Sequence, residues 1–157
     1  VYRQVPTLAV LTGLQGGIEI LAGAVAGLVA LSHLGALLAA MAASESPGVG
    51  LLIAAFGVAP AWYGFVAIAL TFLGAYKVRC AFRLQRFQGR SAALTANLLS
   101  GVWLLTCVCF PLGLALPVFT WRVLEDAESK AAFELGEQGM DAESIYRRLL
   151  ERGPAYR

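Results

Sequence analysis

The sequence predicts an all-α integral membrane protein: a four-span helical bundle followed by a cytoplasmic helical tail. Three observations carry this. Of 157 residues, 59% are hydrophobic and only 14% charged, against about 25% charged in an ordinary soluble domain; mean hydropathy is +0.71. Residues 20–44, 46–76 and 91–121 contain no Asp, Glu, Lys or Arg, and each run exceeds the roughly 20 residues a helix needs to cross a bilayer. Apart from Arg3, Glu19 and Glu45, the remaining charges are gathered, cationic at 77–90 and mixed after 121. A net charge of +2 supplies no phosphate-tracking surface, so nucleic acid is not an expected partner.

The first span is placed at about 8–42. The chain starts at Val1 rather than Met, which leaves open a removed leader or further residues before it. The apolar run Leu8 to Ala43 would measure about 54 Å as a helix, far beyond the ~30 Å hydrocarbon core. It must therefore tilt, break, or protrude at one end, either His33 to Ala43 or Pro6 to Leu14. Ser44-Glu45-Ser46-Pro47-Gly48 is the first clear turn, with Pro and Gly both stopping helices.

In the second apolar stretch, Leu51 to Ala59 reads as a lead-in and 61–80 as the span proper, with Pro60 between. Trp62 and Tyr63 belong to residue types enriched at the membrane boundary. Lys77, Arg79, Arg83, Arg86 and Arg90 follow with no acid among them. They read as a headgroup-level loop, and the positive-inside rule places that loop in the cytoplasm. Spans at 91–108 and 110–124 are short and form a hairpin near Pro111; one long kinked span is the alternative, and would put the tail outside. With four spans both termini are cytoplasmic. Residues 1–121 then make the bundle and 122–157, with eight acids and six bases, an amphipathic tail.

The segments Gly74-Ala75-Tyr76-Lys77-Val78-Arg79, Ala92-Ala93, Cys107-Val108-Cys109-Phe110, Leu112-Gly113-Leu114, Val123-Leu124 and Lys130-Ala131-Ala132-Phe133 together resemble a bacterial module. It is the small, uncharacterised four-helix membrane module common in myxobacteria and planctomycetes, with a carboxyl half of the type "LGLPIGIWALVVL…PEVKAAF". The resemblance covers roughly residues 72–133, and residues 3–30 weakly. Ala115 and Ala127 stand where the module has prolines, Pro117 where it has glycine and Phe119 where it has tryptophan. The resemblance implies four spans, a cytoplasmic carboxyl end in the bacterial inner membrane, and no assigned activity.

Few residues are chemically out of place. Glu19 is embedded in an apolar span, where a carboxylate costs about 2.5–3.5 kcal/mol and so faces protein or water. It is either a proton or cation relay or a ligand carboxylate, or else a protonated group bonded across a helix interface or, if the span is 18–42, a residue near the headgroups. Gly16, Gly23, Ala26 and Ala30 share its face. Gly13 with Gly17, and Gly23 with Gly27, recur at one-turn spacing, the pattern of close helix packing. His33, the only histidine, lies about 21 Å along the helix from Glu19 and reads as interfacial. Cys107-x-Cys109 lacks the second ligand pair of a zinc site, and Cys80 beside Arg79 is at most a lipidation candidate. No catalytic, phosphate-cradling or dinucleotide motif is present. No enzyme activity, cofactor or metal is expected.

The tail holds a helix with readable ends. Asp141 is the N-cap, Glu143 sits in the first turn, Arg147, Arg148 and Arg152 toward the last, and Gly153-Pro154 stop it. Ile145, Tyr146, Leu149 and Leu150 form an apolar face that must dock on the chain's own cytoplasmic loop, on lipid, or on a partner protein. An earlier helix, about Trp121 to Leu135, is expected to break at Gly136. The expected function is that of an accessory or assembly subunit of a larger inner-membrane complex. Its partners are lipids and other membrane subunits or a second copy. The alternatives are a homo-oligomeric channel or proton-coupled transporter using Glu19, and a redox protein built on Cys107, Cys109 and His33.

Overall fold

The computed structural model describes the backbone of residues 2–43, 49–105 and 110–151, and side chains at 3–42, 57–99 and 115–151. These residues form six helices and no strand: α1 (Val5–Ala43), α2 (Val49–Gln85), α3 (Arg90–Leu105), α4 (Phe110–Glu125), α5 (Ala127–Glu137) and α6 (Ala142–Glu151), preceded by a single 3₁₀ turn at Tyr2–Gln4. The turn expected at 44–48, Cys107 and Cys109, and the stop at Gly153-Pro154 lie outside the described residues.

Two of the helices are long and apolar enough to cross a membrane, over Val5–Ala42 and Gly57–Gln85. α1 runs unbroken for 39 residues, so its excess length is not absorbed by a break. Pro6 sits in its first turn, where the missing N–H has no helical partner to lose. α2 also continues, for 37 residues, straight through Pro60; the lead-in and the span are one helix. α3 and α4 are 16 residues each, short of the ~20 required for a full crossing. They pair antiparallel, as Arg90 beside Glu125 and Asn97 beside Thr120 show.

The chain divides into two compact units, residues 17–74 and residues 1–16 with 75–157. The tail helices therefore share a unit with the start of α1 and the end of α2, rather than standing apart from residue 122. The reason is burial. Ile145 and Phe133 join Val5, Leu8, Leu84, Phe87 and Leu124 in a single apolar core.

In the unit of residues 17–74, α1 and α2 cross closely at one glycine. A Cβ at Gly23 would lie 2.5 Å from Thr71 Oγ1 and 2.9 Å from the Ala67 carbonyl oxygen, whereas one at Gly27 would meet only the Ala67 methyl at 3.7 Å. A Cβ at Gly17 would meet nothing within 4 Å among the described residues, so Gly17 is no contact point of this kind within the chain. In the other unit a Cβ at Gly13 would meet that of Ala81 at 3.3 Å. Gly23→Ala is therefore expected to lower the detergent melting temperature, overpacking typically costing about 1–3 kcal/mol. Gly17→Ala should hold or raise it, since Gly is about 1 kcal/mol worse than Ala in a helix interior. Equal melting of the two variants would contradict the close crossing.

Candidate functional site

The second helix turns into the third through a Schellman motif. Gln88 N–H donates to the Arg83 carbonyl at 2.9 Å and Phe87 N–H to that of Leu84 at 3.0 Å, the paired bonds that close a helix end. Phe87 holds the left-handed position, φ 52°, and Gly89 follows at φ 71°. A phenylalanine there costs about 1–2 kcal/mol relative to glycine. Burial offsets it: Phe87 is 1% exposed and meets Phe133 and Tyr146 edge-on, at centroid distances of 5.8 and 5.4 Å.

Both tail helices converge on this turn. α5 rests on it through Gly136, where a Cβ would stand 2.3 Å from the Phe87 carbonyl oxygen; Gln88 Nε2 donates to the Gly136 carbonyl at 3.3 Å. Gly136 is thus a contact point inside α5 and not its stop. The stop is a second Schellman motif at Gly139, φ 86°, with Met140 N–H donating to Leu135 and Gly139 N–H to Gly136. The expected continuous helix from Trp121 is divided at Asp126, whose carboxylate accepts from the N–H groups of Glu128 and Ser129 and caps α5. Asp141 caps α6 by accepting from Ser144 N–H at 3.1 Å; the Ser144 hydroxyl first, and then this N–H, hold its carboxyl below the usual range.

On α6, Ile145 is fully buried, Tyr146 touches Phe87, Leu149 is packed against the core and Leu150 is 57% exposed. Of the occupants the sequence left open for this face, the chain's own α2–α3 turn is the one it touches. Burying an isoleucine contributes about 1.5–3 kcal/mol, enough to matter for a helix too short to persist alone.

Five cations followed the second span in sequence, and the structure separates them. They do not form a loop; Lys77, Arg79 and Arg83 are helical. Lys77 is fully buried, on the face that also buries Cys80, Ala81 and Leu84, which corrects its placement among headgroup residues. Cys80, 2% exposed, is likewise no accessible lipidation site. Arg90 is half-buried: its Nε donates to the Leu124 carbonyl at 2.8 Å and its guanidinium pairs with Glu125. Lys130 reaches the same carboxylate at 2.8 Å. The Lys130 bond, with the Arg90 charge, holds the Glu125 carboxyl below the ordinary range. Arg90, Glu125 and Lys130 thereby clamp the ends of α3, α4 and α5.

Arg79, Arg83 and Arg86 are exposed. Arg79 and Arg83 share one side of α2 with Ala75, Val78 and Phe82, and with Arg86, the first residue past the helix, they line an open groove of about 600 Å³. None of the three makes an ion pair with an acid among the described residues.

The polar groups inside the helices are equally specific. Along α1 the buried positions are Val5, Leu8, Ala9, Thr12, Gly16, Glu19, Gly23 and Ala26. That is a continuous stripe near the 3.5-residue period, and it contains Glu19, 9% exposed. Asn97 Nδ2 donates to Thr12 Oγ1 at 3.1 Å and to Thr120 Oγ1 at 3.0 Å, joining α3 to α1 and α4 with all three residues buried. This trio escaped sequence reading, although an Asn within the charge-free run 91–121 was a visible signal. Bonds of this kind average about 0.6 kcal/mol in membrane proteins. His33, exposed, donates from Nδ1 to the Val29 carbonyl at 2.8 Å and packs its ring on Tyr63. Among the described residues no three of His, Cys, Asp and Glu gather closely enough to hold a metal ion. Comparisons with known protein families, with curated proteins and with solved structures find no match to this chain.

Proposed function

We propose that this chain is a non-enzymatic, four-span protein of the bacterial inner membrane, with both termini cytoplasmic, serving as an accessory or assembly subunit of a larger complex. The observation that carries the proposal is the outward stripe of α1. Leu14, Ile18, Leu21, Val25 and Leu28 are each more than 60% exposed, at helical spacing, and α2 presents Phe65, Ile68 and Phe72 in the same way. Apolar faces of this size require lipid or other membrane helices to cover them. Resemblance to the four-helix bacterial module belongs to the same proposal.

Two measurements test it. After an alkaline carbonate wash the chain is expected to remain in the membrane pellet, and release into the supernatant would refute membrane insertion. Affinity purification in mild detergent is then expected to recover stoichiometric membrane subunits. A chain that purifies alone as a monomer would refute the accessory role.

Burial of Glu19 within the apolar stripe of α1 favours one second reading, a proton-coupled channel or transporter. Proton flux in proteoliposomes that is present in the wild type and abolished in Glu19→Gln would select it over the first.

A further inference from the structure

We infer that the groove of Arg79, Arg83 and Arg86 binds the phosphate of an anionic phospholipid, whose acyl chain lies on Ala75, Val78 and Phe82. The inference rests on the membrane reading above, which the carbonate wash tests by itself.

Charge and shape point the same way. Arg90, at the start of α3, and Lys130 share the Glu125 carboxylate, and Arg147 is paired with Glu143. The three groove arginines have none among the described residues. Arg79 and Arg83 lie one turn apart on α2 and Arg86 follows in the turn that ends it, so their forked donors line a single groove. A guanidinium fork matches phosphate oxygens in paired hydrogen bonds.

The groove is also graded. Ala75, Val78 and Arg79 line the end nearer the apolar segment of α2, whereas Arg83, Arg86 and Gln88 line the wholly polar end at the α2–α3 turn. Phe82, 63% exposed, lies between. A water-soluble phosphate would use only the cationic end. A phospholipid uses both, with its headgroup at the turn and its chain running along the helix toward the hydrocarbon. Cations near a membrane surface attract anionic lipid by about fivefold in affinity each, and desolvation beside Phe82 favours a fixed position over a diffuse cloud.

The test uses the full chain in nanodiscs of phosphatidylcholine with increasing phosphatidylglycerol. Phosphatidylglycerol binding is read by thermal shift and by native mass spectrometry of retained lipid. Arg79→Gln with Arg86→Gln removes two groove cations while leaving the Arg83 stem, which packs beside Gly89. Arg147→Gln with Arg148→Gln removes the same number of charges from α6. Affinity for phosphatidylglycerol is expected to fall about 25-fold in the groove pair and less than about twofold in the α6 pair. Equal losses in the two pairs would overturn the inference, as would a wild type that does not distinguish phosphatidylglycerol from phosphatidylcholine. Displacement of the lipid by millimolar inorganic phosphate would assign the groove to a soluble anion and also overturn it. Should the groove pair fail to fold in phosphatidylcholine, Arg79→Gln alone carries the test, with about a fivefold loss expected.

Discussion

Gly136→Ala is expected to destabilise the protein by about 2 kcal/mol and to free the tail, even though alanine is the better helix former. The substitution sets two effects against each other. In a helix interior Ala gains about 1 kcal/mol over Gly. Against this, the new methyl would stand 2.3 Å from the Phe87 carbonyl oxygen, 2.9 Å from Phe87 Cβ and 3.0 Å from the Arg86 carbonyl oxygen. Two of those three atoms are backbone in a turn fixed by its own hydrogen bonds, so they cannot yield by rotating a side chain. The helix must move away, and with it goes the Gln88 bond to the Gly136 carbonyl. Overpacking alone costs about 1–3 kcal/mol, and the shift also uncovers Phe133. The measurement is melting in mild detergent together with limited proteolysis of the segment after Glu125. Faster cleavage with a lowered melting temperature is expected. An unchanged cleavage rate would mean that α5 does not rest on the turn at this residue.

How much of this was legible in the sequence depended on whether local chemistry or tertiary contact decided each feature. Charge-free runs report the cost of burying ions, and they located the long helices. Asp141 was readable as a cap because capping is local: a carboxylate meets an N–H group three residues on. Asp126 does the same for α5, but the helix expected from Trp121 to Leu135 ran across it. Gly136 and Gly139 were distinguishable only by tertiary structure. One is a glycine because backbone lies against it, the other because its φ is positive, and sequence shows only two glycines near a helix end. The cation run misled through its density. Reading 77–90 as one loop hid the helical phase that turns Lys77 inward with Leu84 and turns Arg79 and Arg83 outward. The Arg79 and Arg83 side of the groove follows from helix phase, whereas Arg86 joins it from the turn after Gln85, which periodicity does not place. The Asn97 trio joins residues far apart in the chain, so nothing in sequence pairs them.

The largest single loss is expected at Phe87, where the usual order of two substitutions should invert. Phe87→Ala empties the space against Phe133 and Tyr146, in the core that also holds Leu84 and Ile145, and Phe→Ala in a core costs about 3–5 kcal/mol. It leaves the strain in place, because alanine at φ 52° still has a Cβ in the left-handed region. Phe87→Gly loses the same ring but relieves that strain, worth about 1 kcal/mol. At most positions glycine is the worse replacement, since it loosens the unfolded chain and fills no space. Here it is expected to be the better one by about 1 kcal/mol, with both variants far below the wild type. Melting the three proteins side by side in one detergent measures the order directly. If Phe87→Ala proved the more stable of the two variants, the left-handed Schellman position would not belong to this residue. If both melted near the wild type, the convergence of α5 and α6 on the turn would carry little of the stability. The predicted order isolates backbone strain from burial at the residue that bears both, because the two variants share the cavity and differ in the Cβ.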